Sequence, residues 1–120
     1  MAYDPYQAER VRRSFKDRKL FVEEKQMFGG LCFMLDGKMC CGLLYSKKRS
    51  TDLLMARVGP EAYDHCLEHK GAHPMDFTGR AMKGFVFVSP EGYDSESDLS
   101  FWIEACIAYN PEARSSKKGR

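Results

Sequence analysis

The sequence predicts an α+β domain in which helices pack on one largely antiparallel five-stranded sheet, in the order helix, three-stranded meander, helix, β-hairpin, helix. Three observations carry this expectation. The hydrophobic period switches between three-to-four and two several times within only 120 residues. Asp36-Gly37 separates two strand-like runs as a tight hairpin turn does. Prolines stand at the head of two helical stripes, Pro5 and Pro60, and at the foot of a third, Pro111. A chain of this size buries one self-sufficient core, so residues 1–110 are read as a single domain and 111–120 as a basic tail.

The elements follow in order. Asp4, Pro5 and Gln7 form a helix start, with Asp4 as N-cap and Gln7 closing a capping box. The helix runs to about Lys16 and buries Ala8, Val11 and Phe15, leaving Arg10, Arg12, Arg13 and Lys16 in water. From Leu20 to Gln26 charges alternate sides, as on an edge strand. Gly29-Gly30 reads as a bend or bulge within the strand that resumes at Leu31–Leu35. Asp36-Gly37, with both residues at positive φ, turns the chain into an antiparallel return from Lys38 to Tyr45.

After the polar turn Ser46–Thr51, Asp52–Val58 supplies a third strand with Leu54 and Ala56 on one face and Leu53, Met55 and Arg57 on the other. Gly59-Pro60-Glu61 launches a second helix burying Ala62, Tyr63, Cys66 and Leu67, ending near Gly71. Met75–Thr78 and Lys83–Val88 form a hairpin around Gly79-Arg80. Beyond the acidic cluster Asp94–Asp98, the third helix carries Leu99, Trp102, Ile103, Cys106 and Ile107 until Pro111 stops it.

Composition excludes several classes. No apolar run approaches the ~20 residues that span a bilayer, and the acids and arginines of the first thirteen residues leave no room for a signal peptide. Five cysteines are an odd count, and Cys40-Cys41 lie side by side in a strand with their side chains expected on opposite faces. They read as reduced thiols of a cytoplasmic protein, used as small core residues. Residues 1–20 hold six Lys or Arg against three acids, 21–110 nine against thirteen, and 111–120 four against one. The body is therefore net acidic, the reverse of a nucleic-acid-binding core, and direct DNA binding is not expected.

Chemistry-bearing patterns are weak. Glu61, His65 and His69 recur every four residues, with His73 in the next loop. Such spacing can offer two imidazoles and a carboxylate to a transition metal, but the opposite stripe is the buried one, so solvated histidines and no metal are expected. No nucleophile elbow, CxxC pair, Walker loop or dinucleotide fingerprint occurs; neither catalytic residues nor a cofactor is expected. Asp76, Arg80 and Lys83 crowd a tight turn region, where Arg80 either pairs internally with Asp76 or presents its guanidinium to a partner.

The blocks MFGGLCFMLDGKMCCG, LLMARVGPEAYDHCL and HPMDFTGRAMKGFVFVSPEGY resemble, in order and spacing, the amino-terminal domain of the TfoX/Sxy family over residues 4–110. Phe28, Gly29, Gly30, Asp76, Phe77, Gly79, Arg80, Met82 and Lys83 match its motifs. Phe28, Gly29, Gly30, Phe77, Gly79 and Met82 are assigned structural roles, and Asp76, Arg80 and Lys83 are the candidate partner contacts. The resemblance implies a fold similar to secretion chaperones and a non-enzymatic regulator of bacterial competence. Such a regulator works through a protein partner, a transcription factor or the transcription machinery. Full-length competence regulators carry a second, carboxy-terminal domain, and a stand-alone amino-terminal domain without it is the expectation here. A homodimer is a further expectation, since such folds often pair. The alternative is a module binding a small molecule or peptide, which would show an apolar pocket between sheet and helices.

Overall fold

The structure, a computed structural model, describes residues 3–27, 29–75 and 83–113. Its first helix, α1 (Pro5–Asp17), starts as expected: Asp4 accepts a hydrogen bond from the Tyr6 amide at 2.9 Å, and Ala8, Val11 and Phe15 are buried. Two details differ. Gln7 does not close a capping box, because its Oε1 accepts from Arg10 Nη1 at 2.9 Å. Arg10 is not in water but 6% exposed, donating also to the Asp94 carbonyl at 3.1 Å and to Glu96 at 3.4 Å. A buried guanidinium needs several acceptors, and the loop before the last helix supplies them.

Among the described residues six strands follow: β1 (Glu23–Met27), β2 (Gly30–Leu35), β3 (Lys38–Ser46), β4 (Thr51–Arg57), β5 (Ala72–Pro74) and β6 (Phe85–Val88). They form one sheet in the order β1-β2-β3-β4-β6-β5, every neighbouring pair antiparallel. The α+β class and the meander hold; the strand count does not. Gly29 has φ +74° and Met27 pairs with Gly30, so the chain reverses here instead of bending within one strand. That reversal splits the expected leading strand into β1 and β2 and lengthens the meander to four strands. Asp36 and Gly37, at φ +55° and +76°, make the second hairpin as read. β5 begins three residues earlier than expected and pairs with β6, which lies between β4 and β5.

A bulge in β3 changes the core. Phe33 pairs with Cys41 and Met34 with Met39, leaving Cys40 as one residue too many. The alternation therefore slips once, and Cys40 and Cys41 face the same side of the sheet instead of opposite sides. On that side they join Phe33, Leu43, Leu54, Ala56 and the buried stripes of α1, α2 (Tyr63–Leu67) and α3 (Glu96–Tyr109). The reverse side holds Cys32, Met34, Met39, Leu44, Leu53, Met55, Met75 and Phe87, all at most 5% exposed. Both sheet faces are thus buried, and the alternation read for β4 is observed.

α2 is only five residues long, and its buried positions are Tyr63 and Cys66. α3 is capped by Ser95, whose hydroxyl accepts from the Asp98 amide at 3.1 Å, and buries Leu99, Trp102, Ile103 and Cys106. Ile107 is partly exposed. Trp102 Nε1 donates to the Gly92 carbonyl at 3.0 Å, satisfying the only polar atom of the largest core side chain. Pro111 ends α3 in a short 3-10 turn, Asn110–Glu112.

The two glycines of the first hairpin should respond differently to substitution. A Cβ on Gly30 would strike the Leu43 carbonyl and lie 2.6 Å from Leu44 Cβ, whereas Gly29 has open space and only its positive φ to defend. Gly30→Ala is expected to destabilise by about 1–3 kcal/mol or more, and Gly29→Ala by about 1–2 kcal/mol. Urea unfolding of both variants measures the difference.

Candidate functional site

Of the residues singled out by sequence, Phe28, Asp76, Phe77, Gly79, Arg80 and Met82 lie outside the described residues. Lys83 is exposed at the turn into β6. Gly84, at φ +98°, accepts from the amides of Val58 and Gly59 at 2.9 and 3.0 Å, which ties this turn to the end of β4. Gly29 and Gly30 occupy the β1–β2 turn.

The histidines do not converge. His65 and His69 are exposed, with rings edge-on at 5.6 Å. His69 also stacks on Phe101 at 3.9 Å and meets Trp102 edge-on at 5.8 Å. His73 lies in β5, not in a loop, and its Nε2 hydrogen-bonds the Ser89 hydroxyl at 2.9 Å. Among the described residues no group of three or more His, Cys, Asp or Glu is placed to hold a metal ion.

The most developed surface feature begins where α1 stops. Leu20 N donates to the Phe15 carbonyl at 3.0 Å and Lys19 N to the Lys16 carbonyl at 2.9 Å, the two bonds of a Schellman termination. Lys19 fills the left-handed position, φ +60°, where glycine is the unstrained choice. Leu20 then packs back on the core, as does Val22, while Phe21 between them projects outward, 80% exposed. Phe21 stands between two clefts. The larger, about 660 Å³, lies between the α1–β1 connection, the β2–β3 turn and the end of α3, with Leu20, Met34, Leu35 and Ile107 as apolar lining and Lys19, Glu23 and Asp36 as charged lining. The smaller, about 390 Å³, borders α1 through Arg12, Phe15 and Lys16.

The far wall of the larger cleft is held by polar contacts. Asn110 Nδ2 donates to the Leu35 carbonyl at 3.0 Å, and Lys38 Nζ donates to the carbonyls of Asn110 and Pro111 at 3.2 and 3.3 Å. A cation on the last carbonyls of a helix is favourable to its dipole and fixes the end of α3 against the β2–β3 turn. At the smaller cleft Arg12 is engaged with Glu9 at 2.8 Å and with Glu24, tying α1 to β1.

The model of the TfoX N-terminal domain matches residues 17–109. The chain belongs to that family. Phe21, both cleft-lining turns and the whole sheet lie within the matched segment, and nearly all of α1 precedes it. No curated relative matches the chain. Within the TfoX N-terminal domain, sequence reasoning passed over Lys19 and Phe21. The signal available was the local alternation, in which Leu20 and Val22 share a phase and an aromatic ring takes the outward one.

Relieving the strained cap tests the site's construction. Lys19→Gly removes the left-handed penalty of about 1–2 kcal/mol but adds about 0.4–1 kcal/mol of unfolded-chain entropy. A net gain of a few tenths to about 1 kcal/mol in urea unfolding is expected.

Proposed function

We propose that this TfoX N-terminal domain is a non-enzymatic, cytoplasmic regulatory or adaptor module that acts through protein contacts, with a transcription factor or a component of the transcription machinery as partner. The observation that carries the reading is Phe21, a large aromatic side chain 80% exposed between two clefts on a positioned chain segment. Exposed aromatic rings beside apolar recesses are the anchors protein interfaces use. A protein partner is favoured over nucleic acid because the body of the chain is net acidic, nine Lys or Arg against thirteen acids over 21–110. The sheet face away from the helices, an alternative contact surface, is buried and unsuited. Family membership supports the regulatory role, and no turnover of a small molecule is expected.

A second reading, a small-molecule or peptide-binding module, is favoured by the larger cleft, whose volume of about 660 Å³ falls in the range of ligand sites. One experiment separates the two. Tagged wild type, Phe21→Ser and Arg80→Ala are used to capture partners from native lysate, with native mass spectrometry of the recovered domain. The expected result is a transcription-related protein retained by wild type and lost with Phe21→Ser, whose fold should stay within about 0.5 kcal/mol of wild type. Repeated recovery of no protein partner contradicts the adaptor reading, and a bound small molecule in its place supports the second.

A further inference from the structure

Among the described residues the sheet has two edges, and they are finished differently. At one, β5 spans three residues and closes on Pro74, the short, proline-ended strand that blunts an edge. At the other, β1 is five residues long, contains no proline and is paired on one side only. Glu23, Glu24, Lys25 and Gln26 are all exposed. The hairpin fixes where the free backbone groups of β1 point. Only positions 28 and 29 separate Met27 from Gly30, and the residues flanking a two-residue turn form a hydrogen-bonded pair. Bonded pairs alternate, so Met27, Lys25 and Glu23 direct their backbone groups to β2, while Gln26 and Glu24 direct theirs outward. The next hairpin gives the same phase. Leu35 and Lys38 flank Asp36-Gly37, which assigns Leu35, Phe33 and Leu31 to β3 and leaves Met34, Cys32 and Gly30 for β1.

Opposite residues of antiparallel strands share a face. Glu24 lies opposite Phe33 on the helix side, while Glu23 and Lys25 lie on the reverse side, opposite Met34 and Cys32. A second β1 running antiparallel bonds only where outward residues meet outward residues. With the two-fold axis at Lys25 the two lysines would face each other, and with the axis at Glu23 the two glutamates would; like charges directly opposite are unfavourable. With the axis at Glu24 the reverse side becomes complementary throughout. Glu23 faces the partner's Lys25, Lys25 faces the partner's Glu23, and Met27 faces the partner's Phe21. On the helix side the two Glu24 residues meet at the axis, but each carboxylate is already held by Arg12 of its own chain, whose Nε and Nη2 donate to its two oxygens, the latter at 2.9 Å. Among the described residues Glu23 and Lys25 make no ion pair, so both charges are available to a second copy.

We propose that β1 is the interface of a two-fold homodimer, in which it pairs antiparallel with β1 of a second copy about an axis at Glu24 and joins the two sheets into one. The Glu24 amide donates to the carbonyl of the partner's Glu24 and the reverse, and Gln26 exchanges backbone bonds with the partner's Val22. A two-fold interface brings the same patch of both copies together, so a single self-complementary strand completes it. Charges on an edge strand usually guard against pairing. Here they disfavour the neighbouring registers and leave one open. The strand is short and its ion pairs are solvent-exposed, so the association is weak and falls with added salt. Phe21 stands at the rim of this interface, and pairing does not depend on what else that ring contacts.

The test is sedimentation of the untagged chain at low salt, from about 10 µM to about 1 mM. Wild type is expected to pass from monomer to dimer across this range. Lys25→Glu and Glu23→Lys each set like charges opposite one another on both sides of the axis, and each is expected to weaken the dimer about tenfold or more. The double swap Glu23→Lys with Lys25→Glu restores both pairs and is expected to regain wild-type association. An equimolar mixture of the two single variants, whose strands complement each other, is expected to do the same. Both side chains are exposed, so the swaps leave the fold intact. In wild type alone, amide exchange at Glu24 and Gln26 is expected to slow as concentration rises, while exchange at Lys25, already bonded to β2, stays constant. A wild type that remains monomeric at about 1 mM, single swaps that associate like wild type, a double swap that does not recover, or an unrelated chain bound along β1 in place of a second copy would overturn the proposal.

Discussion

In β3, Cys40 and Cys41 together oppose Phe33, and this one additional residue sets the phase of the strand against α3. Side chains on a strand alternate faces, so a single insertion reassigns those on one side of it. With the bulge, Leu43 lies in the cluster shared with Trp102, Ile103 and Cys106, and Leu44 lies among the methionines of the reverse face. Met39, before the bulge, also lies on the reverse face, where Met34 opposes it. The two cores that sandwich the sheet are compatible with a single β3 only because the strand changes phase at Cys40. That Cys40 and Cys41 both lie in the core shared with Cys106 follows from the same shift.

Such a bulge is hard to read in the residues. A strand buried on both faces is apolar nearly throughout, so periodicity carries little phase information. Met39 to Leu44 is such a run, and nothing in it distinguishes a regular strand from a bulged one. β4 was legible because Asp52 and Arg57 bracket a short apolar run of strand length. Asp36-Gly37 was legible because the dipeptide has a specific backbone meaning. Gly29-Gly30 lacks that specificity, and glycine at positive φ serves a bend as readily as a reversal. Arg10 was misplaced because a helical stripe says nothing about the carbonyls of Asp94 and Ser95, which arrive from the far end of the chain.

The site was less legible than the fold. Motif residues pointed to the segment around Asp76 and Arg80, whereas the described surface is most elaborate at Lys19 and Phe21, where a left-handed cap without glycine precedes an outward aromatic ring. Family resemblance marks what a fold has in common among its members. Here it singled out Gly30, whose lack of a side chain lets β2 close on the Leu43 carbonyl. A contact surface depends on exposure, and exposure emerges only once the α1–β1 connection meets the β2–β3 turn and the end of α3, the last two joined by Lys38 and Asn110.

Pairwise coupling between cysteines reads the phase of β3 most directly. Double-mutant cycles combining Cys106→Ala with Cys40→Ala, Cys41→Ala or Cys32→Ala, followed by urea unfolding, separate contacts on one face from residues on opposite faces. The bulge requires that Cys40 and Cys41 both couple to Cys106 by roughly 0.5 kcal/mol or more, while Cys32 is additive within about 0.3–0.5 kcal/mol. Coupling by only one of the two adjacent cysteines would mean a regular strand, with the other on the reverse face.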